Sequence, residues 1–187
     1  MKKLSMALAG LLVALFLFTG CNVFSTPANN TPPNNGQNPT SVPTDTFGEK
    51  MTTDRFEMGI ADGWQQDDSI STVDMIMAPD GASSINVVIE KLPGAYTPAE
   101  YMEAAASMLD TVDMFKGRTE LPTGNLQVGN YESASYKYAI VSSGLEMTMT
   151  QCVVIADQSA FVITYTAVNG ADYDSSVAEM LRSFRIL

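Results

Sequence analysis

The sequence predicts an α+β domain made of an antiparallel meander packed by two helices. Residues 131–168 contain three segments of strand type separated by short polar turns, and such short connections join antiparallel strands. Only two segments have helical periodicity, one in the middle of the domain and one near the end of the sequence. A meander accompanied by separate helices is typical of the α+β class.

The first half of the domain predicts short strands and one helix. Strands are expected at 55–60, 73–77 and 84–92, the last two joined by a turn at 79–81. Thr97, Pro98 and Glu100 then form a helix start, because Thr97 can cap the helix, Pro98 suits its first position and Glu100 completes a capping box. The apolar stripe of this helix comprises Tyr101, Ala105, Met108, Leu109 and Val112, and the helix is expected to end near Phe115.

The second half predicts the meander and the last helix. Strands are expected at 131–141, 145–155 and 161–168, with turns at 142–144 and 157–159. In the first of these strands one face carries Ala134, Tyr136, Tyr138 and Ile140. The last helix is expected to begin around Asp172 or Asp174 and carries Val177, Met180, Leu181 and Phe184 at helical spacing.

Composition excludes several classes of function. The 187 residues include 10 Lys and Arg, 21 Asp and Glu and no His, for a net charge of −11. Without histidine there is no Ser-His-Asp triad, no Cys-His dyad and no His-ligated metal. A pI near 4.2 argues against a nucleic-acid partner, because phosphate binding depends on clustered Lys and Arg. We therefore expect no catalytic residue, no cofactor-binding residue and no metal ligand.

Residues 1–20 have the pattern of a lipoprotein signal peptide. Lys2 and Lys3 precede an apolar run at 4–18, which is shorter than the roughly 20 residues that a membrane-spanning helix needs. Small residues directly before Cys21 are typical of a bacterial lipobox, in which the cysteine becomes the lipidated N-terminus. The alternative is an uncleaved membrane anchor. Lipidation predicts an extracytoplasmic protein held to the bacterial cell membrane through acyl chains on Cys21, since two chains anchor stably.

Residues 21–46 are predicted to be the lipidated cysteine and a tether. Asn, Pro, Thr and Ser make up 18 of the 25 residues at 22–46, a composition too poor in apolar residues to offset the entropy of ordering. Cleavage would remove two of the 10 basic residues, and the remaining 8 against 21 acidic residues give a net charge of −13. The acyl chains rather than charge would then hold the protein at an anionic membrane. Residues 47–187 remain as one globular domain.

The order of these elements resembles the PsbP/DcrB-like domains, which share a fold with a Ran-binding protein of the Mog type. The resembling features are Gly63-Trp64 after the first strand, Asn86-Val87-Val88, the helix start from Thr97 to Tyr101, Gln151 within the meander and Ser183-Phe184 at the end. Many relatives have proline where this sequence has Ala61. The resemblance implies an antiparallel sheet between helices, an α/β/α sandwich common in bacterial lipoproteins, and no shared reaction.

Three groups of side chains allow more than one interpretation. Cys152 lies in an apolar strand and is interpreted as a core residue rather than a reactive thiol. The pairs Met75/Met77 and Met147/Met149 fit a core, although thioethers can also bind Cu(I). Asp67-Asp68 and Asp172/Asp174 could suggest calcium, but neither has the spacing of a calcium loop, and Asp172 and Asp174 also suit a helix start.

Trp64 is the candidate anchor for a partner or ligand, because tryptophan is enriched at binding hot spots; the alternative is that it packs against the first strand. The sequence thus predicts a membrane-anchored extracytoplasmic lipoprotein acting as a non-enzymatic binding or accessory module for a protein partner or small ligand. The alternatives are a carboxylate- or metal-dependent hydrolase of the cell envelope and a structural envelope protein.

Overall fold

The computed structural model describes residues 47–69 and 73–187. The signal peptide, Cys21 and the tether lie outside these residues. Strands and helices are numbered in chain order. The strands are β1 (Glu49–Thr52), β2 (Phe56–Ile60), β3 (Gln65–Asp67), β4 (Asp74–Met77), β5 (Ser84–Lys91), β6 (Thr119–Leu121), β7 (Ser133–Ser142), β8 (Leu145–Ala156), β9 (Ser159–Val168) and β10 (Arg185–Ile186). The helices are α1 (Pro98–Leu109) and α2 (Asp174–Ser183), and a 3-10 turn follows α1 at Asp113–Phe115. None of the described helices has the length and apolar character to cross a membrane.

A seven-stranded antiparallel sheet forms the centre of the domain, in the order β3-β4-β5-β9-β8-β7-β6. The long hairpins β7-β8 and β8-β9 turn through two residues each. Ser143 and Gly144 in the first turn, and Asp157 and Gln158 in the second, all have positive φ, as the tight turns that suit twisted hairpins require. These turns fix the register of the three longest strands, and the predicted antiparallel meander is confirmed.

The helix α1 begins where the sequence predicts and ends earlier. The Thr97 side chain accepts a hydrogen bond from the backbone of Glu100, and the Glu100 carboxylate accepts one from the backbone of Thr97 at 2.8 Å, which completes the capping box. This hydrogen bonding lowers the pKa of Glu100. The helix ends at Leu109 rather than near Phe115, and its cap is Asp110. Thr111 and Val112 follow the cap, and both are β-branched residues, which disfavour a helix. Its buried stripe contains Met102 in place of the predicted Met108 and Val112.

The two faces of the large sheet have different covers. The face that we call the α1 face carries Ala134, Tyr136, Tyr138 and Ile140 of β7, as predicted, and packs against α1 and the 3-10 turn. The opposite face, here called the α2 face, packs against α2 and against a second sheet of three strands in the order β1-β2-β10. The predicted sandwich of helices therefore has a small sheet beside α2 in one of its outer layers.

Packing on the α2 face centres on Phe184, which directly follows α2. Its ring stacks on Phe56 at 5.5 Å between centroids and meets Phe161 edge-on at 5.9 Å. The predicted apolar residues of the last helix, Val177, Met180 and Leu181, are all buried in the same cluster. Gly129 passes so close to this cluster that a β-carbon there would collide with the backbone oxygen of Phe184.

Candidate functional site

The candidate site is a group of buried polar side chains on the α1 face of the large sheet. It comprises Asn86 on β5, Tyr138 on β7, Gln151 on β8, and Thr164 and Thr166 on β9, and we call it the polar band. Each of these residues is at most 2% exposed. Polar residues are rarely so fully buried, and the five are neutral side chains that can donate or accept hydrogen bonds.

Strand pairing brings these side chains together. Asn86 lies opposite Thr164, and Thr164 lies opposite Gln151, so these three form one row across β5, β9 and β8. In the next row, two residues along, Thr166 lies opposite Met149, which lies opposite Tyr138. Residues two apart share a face and neighbouring strands are about 4.8 Å apart, so the polar band covers a patch about 15 Å wide.

The strand residues that alternate with the members of the polar band point to the opposite face of the sheet. Val87, Cys152, Ile163 and Tyr165 belong to the apolar cluster on the α2 face. This alternation places Asn86, Gln151, Thr164 and Thr166 on the α1 face. The apolar residues of the α1 face, by contrast, fall into two separate clusters, one around Leu109 and Phe115 and one around Tyr101 and Val162.

Four polar atoms of the band have no hydrogen-bond partner among the described residues. They are Asn86 Oδ1, Tyr138 Oη, Gln151 Nε2 and Thr166 Oγ1. A buried polar group left without a partner costs about 1–3 kcal/mol, and native proteins satisfy nearly all such groups with protein, water or ligand. Four of them on one patch therefore mark a place where the folded chain presents unused hydrogen-bonding capacity.

At the β7 edge the band borders a charged network centred on Arg118. The Arg118 Nε donates to Tyr136 Oη at 2.9 Å, and its Nη1 donates to Asp110 Oδ1 at 2.7 Å. Tyr136 in turn donates to Glu120 Oε1 at 2.8 Å. The hydrogen bond to Tyr136 is the main reason why the pKa of Arg118 is raised. The Arg118 guanidinium therefore links the end of α1 to β7, and its hydrogen bonds go to Asp110 and Tyr136 of the same chain.

Three buried side chains with potentially nucleophilic groups, Cys152, Tyr138 and Tyr101, are held in their protonated forms. Burial raises the pKa of the Cys152 thiol to about 12, and the side chain is a core residue, as interpreted from the sequence. Burial is also the main cause of the raised pKa of Tyr138 and of Tyr101, whose hydroxyl donates to Glu90 Oε2 at 2.9 Å. At neutral pH none of these three groups is an anion that could act as a nucleophile.

The methionine pairs lie on the α1 face but far apart. Met75 and Met77 are on β4 and Met147 and Met149 on β8, with β5 and β9 between them, so their strands are about 14 Å apart. The two pairs cannot share one copper ion. Met147 and Met149 pack in the cluster around Leu109, as expected of core residues, whereas Met75 lies opposite Asn86 at the end of the polar band.

The acidic residues considered for calcium make local hydrogen bonds. Asp67 accepts from the backbone N–H of Ser69, and its hydrogen bonds to Ser69 lower its pKa. Asp172 accepts from the backbone N–H of Asp174 at 3.2 Å, and Asp174 accepts from Lys137 at 3.1 Å. The cap position of α2 is Tyr173, which makes no side-chain cap, and Asp174 lies in the first turn. Among residues 47–69 and 73–187, no three His, Cys, Asp or Glu side chains form a group that could hold a metal ion.

Trp64 lies in the apolar cluster of the α2 face. It is 3% exposed and meets the Tyr173 ring edge-on at 5.4 Å between centroids. Its role as an anchor for a partner or ligand stays a prediction. Cys21, the predicted lipidation site, lies outside the described residues.

The polar band is the feature that sequence reasoning missed. In the sequence, Asn86 and Gln151 are features of the family resemblance, and Thr164 and Thr166 are simply part of the strand predicted at 161–168. The sequence does contain a signal, because each of these four residues alternates along its strand with mainly apolar residues. Only strand pairing, however, shows that the four side chains lie close together on one face of the sheet.

Comparison with known proteins is informative at the level of three-dimensional structure. No protein-family model matches the chain, and no curated protein matches it significantly in sequence. Among solved structures, it is similar to cyanobacterial PsbP (CyanoP) from Synechocystis sp. PCC 6803, with a TM-score of 0.54 and 14% identity over 74% of this chain and 92% of that one.

Two further solved structures are more distant. LpqN of Mycobacterium tuberculosis, described as involved in cell envelope biogenesis, has a TM-score of 0.49 and 17% identity over 70% of this chain and 82% of that one. A protein from Bacteroides thetaiotaomicron has a TM-score of 0.47 and 15% identity over 71% of this chain, which spans only 45% of that protein. The similarity to CyanoP confirms the predicted α+β architecture, and the chain has a PsbP-like fold.

Proposed function

We propose that the protein is a membrane-anchored extracytoplasmic lipoprotein that acts as a non-enzymatic binding or accessory module. The anchoring is supported by the sequence around Cys21, where a short apolar run ends in small residues. The binding role is supported by the polar band, and this single observation carries the proposal. Four buried atoms of the band have no hydrogen-bond partner in the part of the chain that the structure describes, which is a cost to the fold that a bound molecule can offset.

The chemistry of the band favours binding over reaction. Its five members are amides, hydroxyls and a phenol, and burial holds the pKa of the Tyr138 phenol above its usual value. Such groups orient a ligand through hydrogen bonds but supply neither a general base nor an activated nucleophile at neutral pH. A carboxylate- or metal-dependent hydrolase would instead need several carboxylates around a cleft.

The anchoring is tested by exchanging the two cysteines separately in a bacterial host that processes lipoproteins. We expect wild-type protein and Cys152→Ala, the matched control, to incorporate labelled palmitate and to fractionate with membranes. Cys21→Ser is expected to lose the label, because the acyl acceptor is gone. Unlabelled wild-type protein, or label retained in Cys21→Ser, would contradict the proposal.

The binding role is tested by native mass spectrometry of the full chain extracted from its own membranes. We expect wild-type protein to carry an additional small-molecule mass or a protein partner, and Gln151→Met to carry less of a small molecule. An unliganded wild-type mass, combined with no specific crosslink to any partner in intact cells, would argue against a binding module.

A further inference from the structure

We infer that residues 93–117, here called the α1 segment, open away from the large sheet as a unit while the rest of the domain stays folded. The segment contains α1 and the 3-10 turn that follows it. This inference goes beyond the proposed binding role and does not depend on it. It follows from how the segment is connected to the sheet, from what lies beneath it and from the contacts that hold its ends.

The α1 segment can leave the large sheet without breaking any strand pairing. It connects β5 to β6, and its residues, all of which the structure describes, include no strand. The backbone N–H of Leu92, directly before the segment, donates to the backbone oxygen of Gln158 at 2.8 Å, so the chain is fixed to the sheet where the segment begins. The seven strands can therefore keep their hydrogen bonds when the segment moves away.

The apolar contacts of the α1 segment are divided between two clusters. Tyr101, Met102 and Ala105 pack in one of them, and Leu109 and Phe115 pack in the other. The large cluster of the α2 face contains no residue of the segment among those described. Opening the segment thus exposes two small clusters, whereas global unfolding exposes all three. The free energy of opening is therefore expected to lie below that of global unfolding.

A buried polar group beneath the α1 segment lowers the cost of opening. Val153 packs in the cluster of Tyr101 and Met149 in the cluster of Leu109, and Gln151 lies between these two residues on the same face of β8. Because α1 packs mainly on β7 and β8, it passes over Gln151, whose Nε2 has no hydrogen-bond partner among the described residues. Water reaches this amide when the segment opens, and its hydration offsets part of the lost apolar burial.

Polar contacts near both ends hold the α1 segment closed. Near its start, the Tyr101 hydroxyl donates to Glu90 Oε2 of β5 at 2.9 Å. After its end, Arg118 donates to Asp110 Oδ1 at 2.7 Å and to Tyr136 Oη of β7 at 2.9 Å. The Asp110 side chain is 67% exposed, so water hydrates it as soon as the contact breaks. Each of these contacts can be lost without unfolding a strand.

Hydrogen exchange of backbone amides under native conditions tests the inference on the full chain. The comparison is between the amides of α1 and the central amides of β9, which is the middle strand of the large sheet. We expect the α1 amides to exchange at least about a hundredfold faster than those of β9, relative to their rates in an unfolded chain. Equal protection of the two elements would overturn the inference.

Two leucines near the ends of their helices provide matched variants. Leu109 of α1 is fully buried on the α1 face, and Leu181 of α2 is 2% exposed on the α2 face. Leu181→Ala weakens a part of the domain that stays folded during opening, so we expect it to speed exchange in β9 at least about tenfold and to leave the α1 amides unchanged. Leu109→Ala weakens contacts that are lost in both processes, so we expect it to speed exchange in both elements.

The pattern across the variants decides the outcome. Leu181→Ala speeding the α1 amides as much as those of β9 would mean that the domain unfolds as one unit and that the inference is wrong. Leu109→Ala leaving the α1 amides unchanged would also overturn it, because those amides would then exchange by fraying of single turns. Circular dichroism verifies folding, and the milder pair Leu109→Val and Leu181→Val serves if either alanine variant is unfolded. None of these outcomes involves a bound partner or a lipid, so the proposed function is tested separately.

Discussion

The two faces of the large sheet are built on different principles. The α2 face is covered by one continuous apolar cluster that joins β-strand residues, α2 and the small sheet. The α1 face has two smaller apolar clusters. The polar band lies on the same face, and four of its atoms have no hydrogen-bond partner within residues 47–69 and 73–187. The comparison teaches that one face is packed by apolar side chains throughout, whereas the other combines apolar packing with buried hydrogen-bonding groups.

The largest expected effect is on the α2 face. Phe184→Ala removes a fully buried ring that contacts Phe56 and Phe161, and we expect it to lower the free energy of unfolding by about 3–5 kcal/mol. Chemical denaturation measures the change. A loss below about 1 kcal/mol would mean that the continuous cluster is not the main source of stability.

A smaller effect of opposite sign is expected on the α1 face. Gln151→Met replaces an amide whose Nε2 has no hydrogen-bond partner among the described residues with an apolar side chain of similar length. In ligand-free protein we expect the free energy of unfolding to rise by about 1 kcal/mol, because the uncompensated desolvation of the amide is removed. The same denaturation experiment measures it. Destabilisation by more than 1 kcal/mol would show that bound water already satisfies this amide and that the two faces differ less than proposed.

The smallest effect concerns Asp74, at the start of β4. Its pKa is raised by burial and by the like charges of Asp54 and Asp68, so the folded state holds the proton more tightly than the unfolded chain does. Ionised Asp74 therefore destabilises the folded state. This destabilisation grows as the pH rises from the pKa of Asp74 in the unfolded chain to its higher pKa in the folded state, and it persists at neutral pH. Asp74→Asn is expected to stabilise slightly at pH 7 and to have no such effect near pH 3. Thermal melting at the two pH values measures the difference, and an equal shift at both would exclude a charge effect.

Local signals predicted much of this fold. The capping box of Thr97 and Glu100 predicted the start of α1, and the alternation in β7 predicted which of its residues share one face. Such features depend on neighbours within a few residues. The end of α1 was misplaced because Val112 fits the helical stripe by spacing, although it lies in an extended conformation after the helix.

Features that depend on distant pairing could not be predicted. The small sheet was missed because β1 and β10 are short and become recognisable only through their pairing with β2. The polar band was missed for the same reason, since Asn86 and Gln151 are 65 positions apart and meet only through β9. Residue types indicate whether a strand is buried, but the identity of its neighbours is a property of the whole topology.

The pairing of β10 with β2 has a consequence for how the domain is assembled. Ile186 lies opposite Phe56, 130 positions earlier in the sequence, and Phe184 packs against the same strand. Contacts of such long sequence separation form late and slow the folding of a chain. We expect β2 to stay unpaired on one side until residues near 186 have been synthesised, so that the domain becomes resistant to proteases in a single late step.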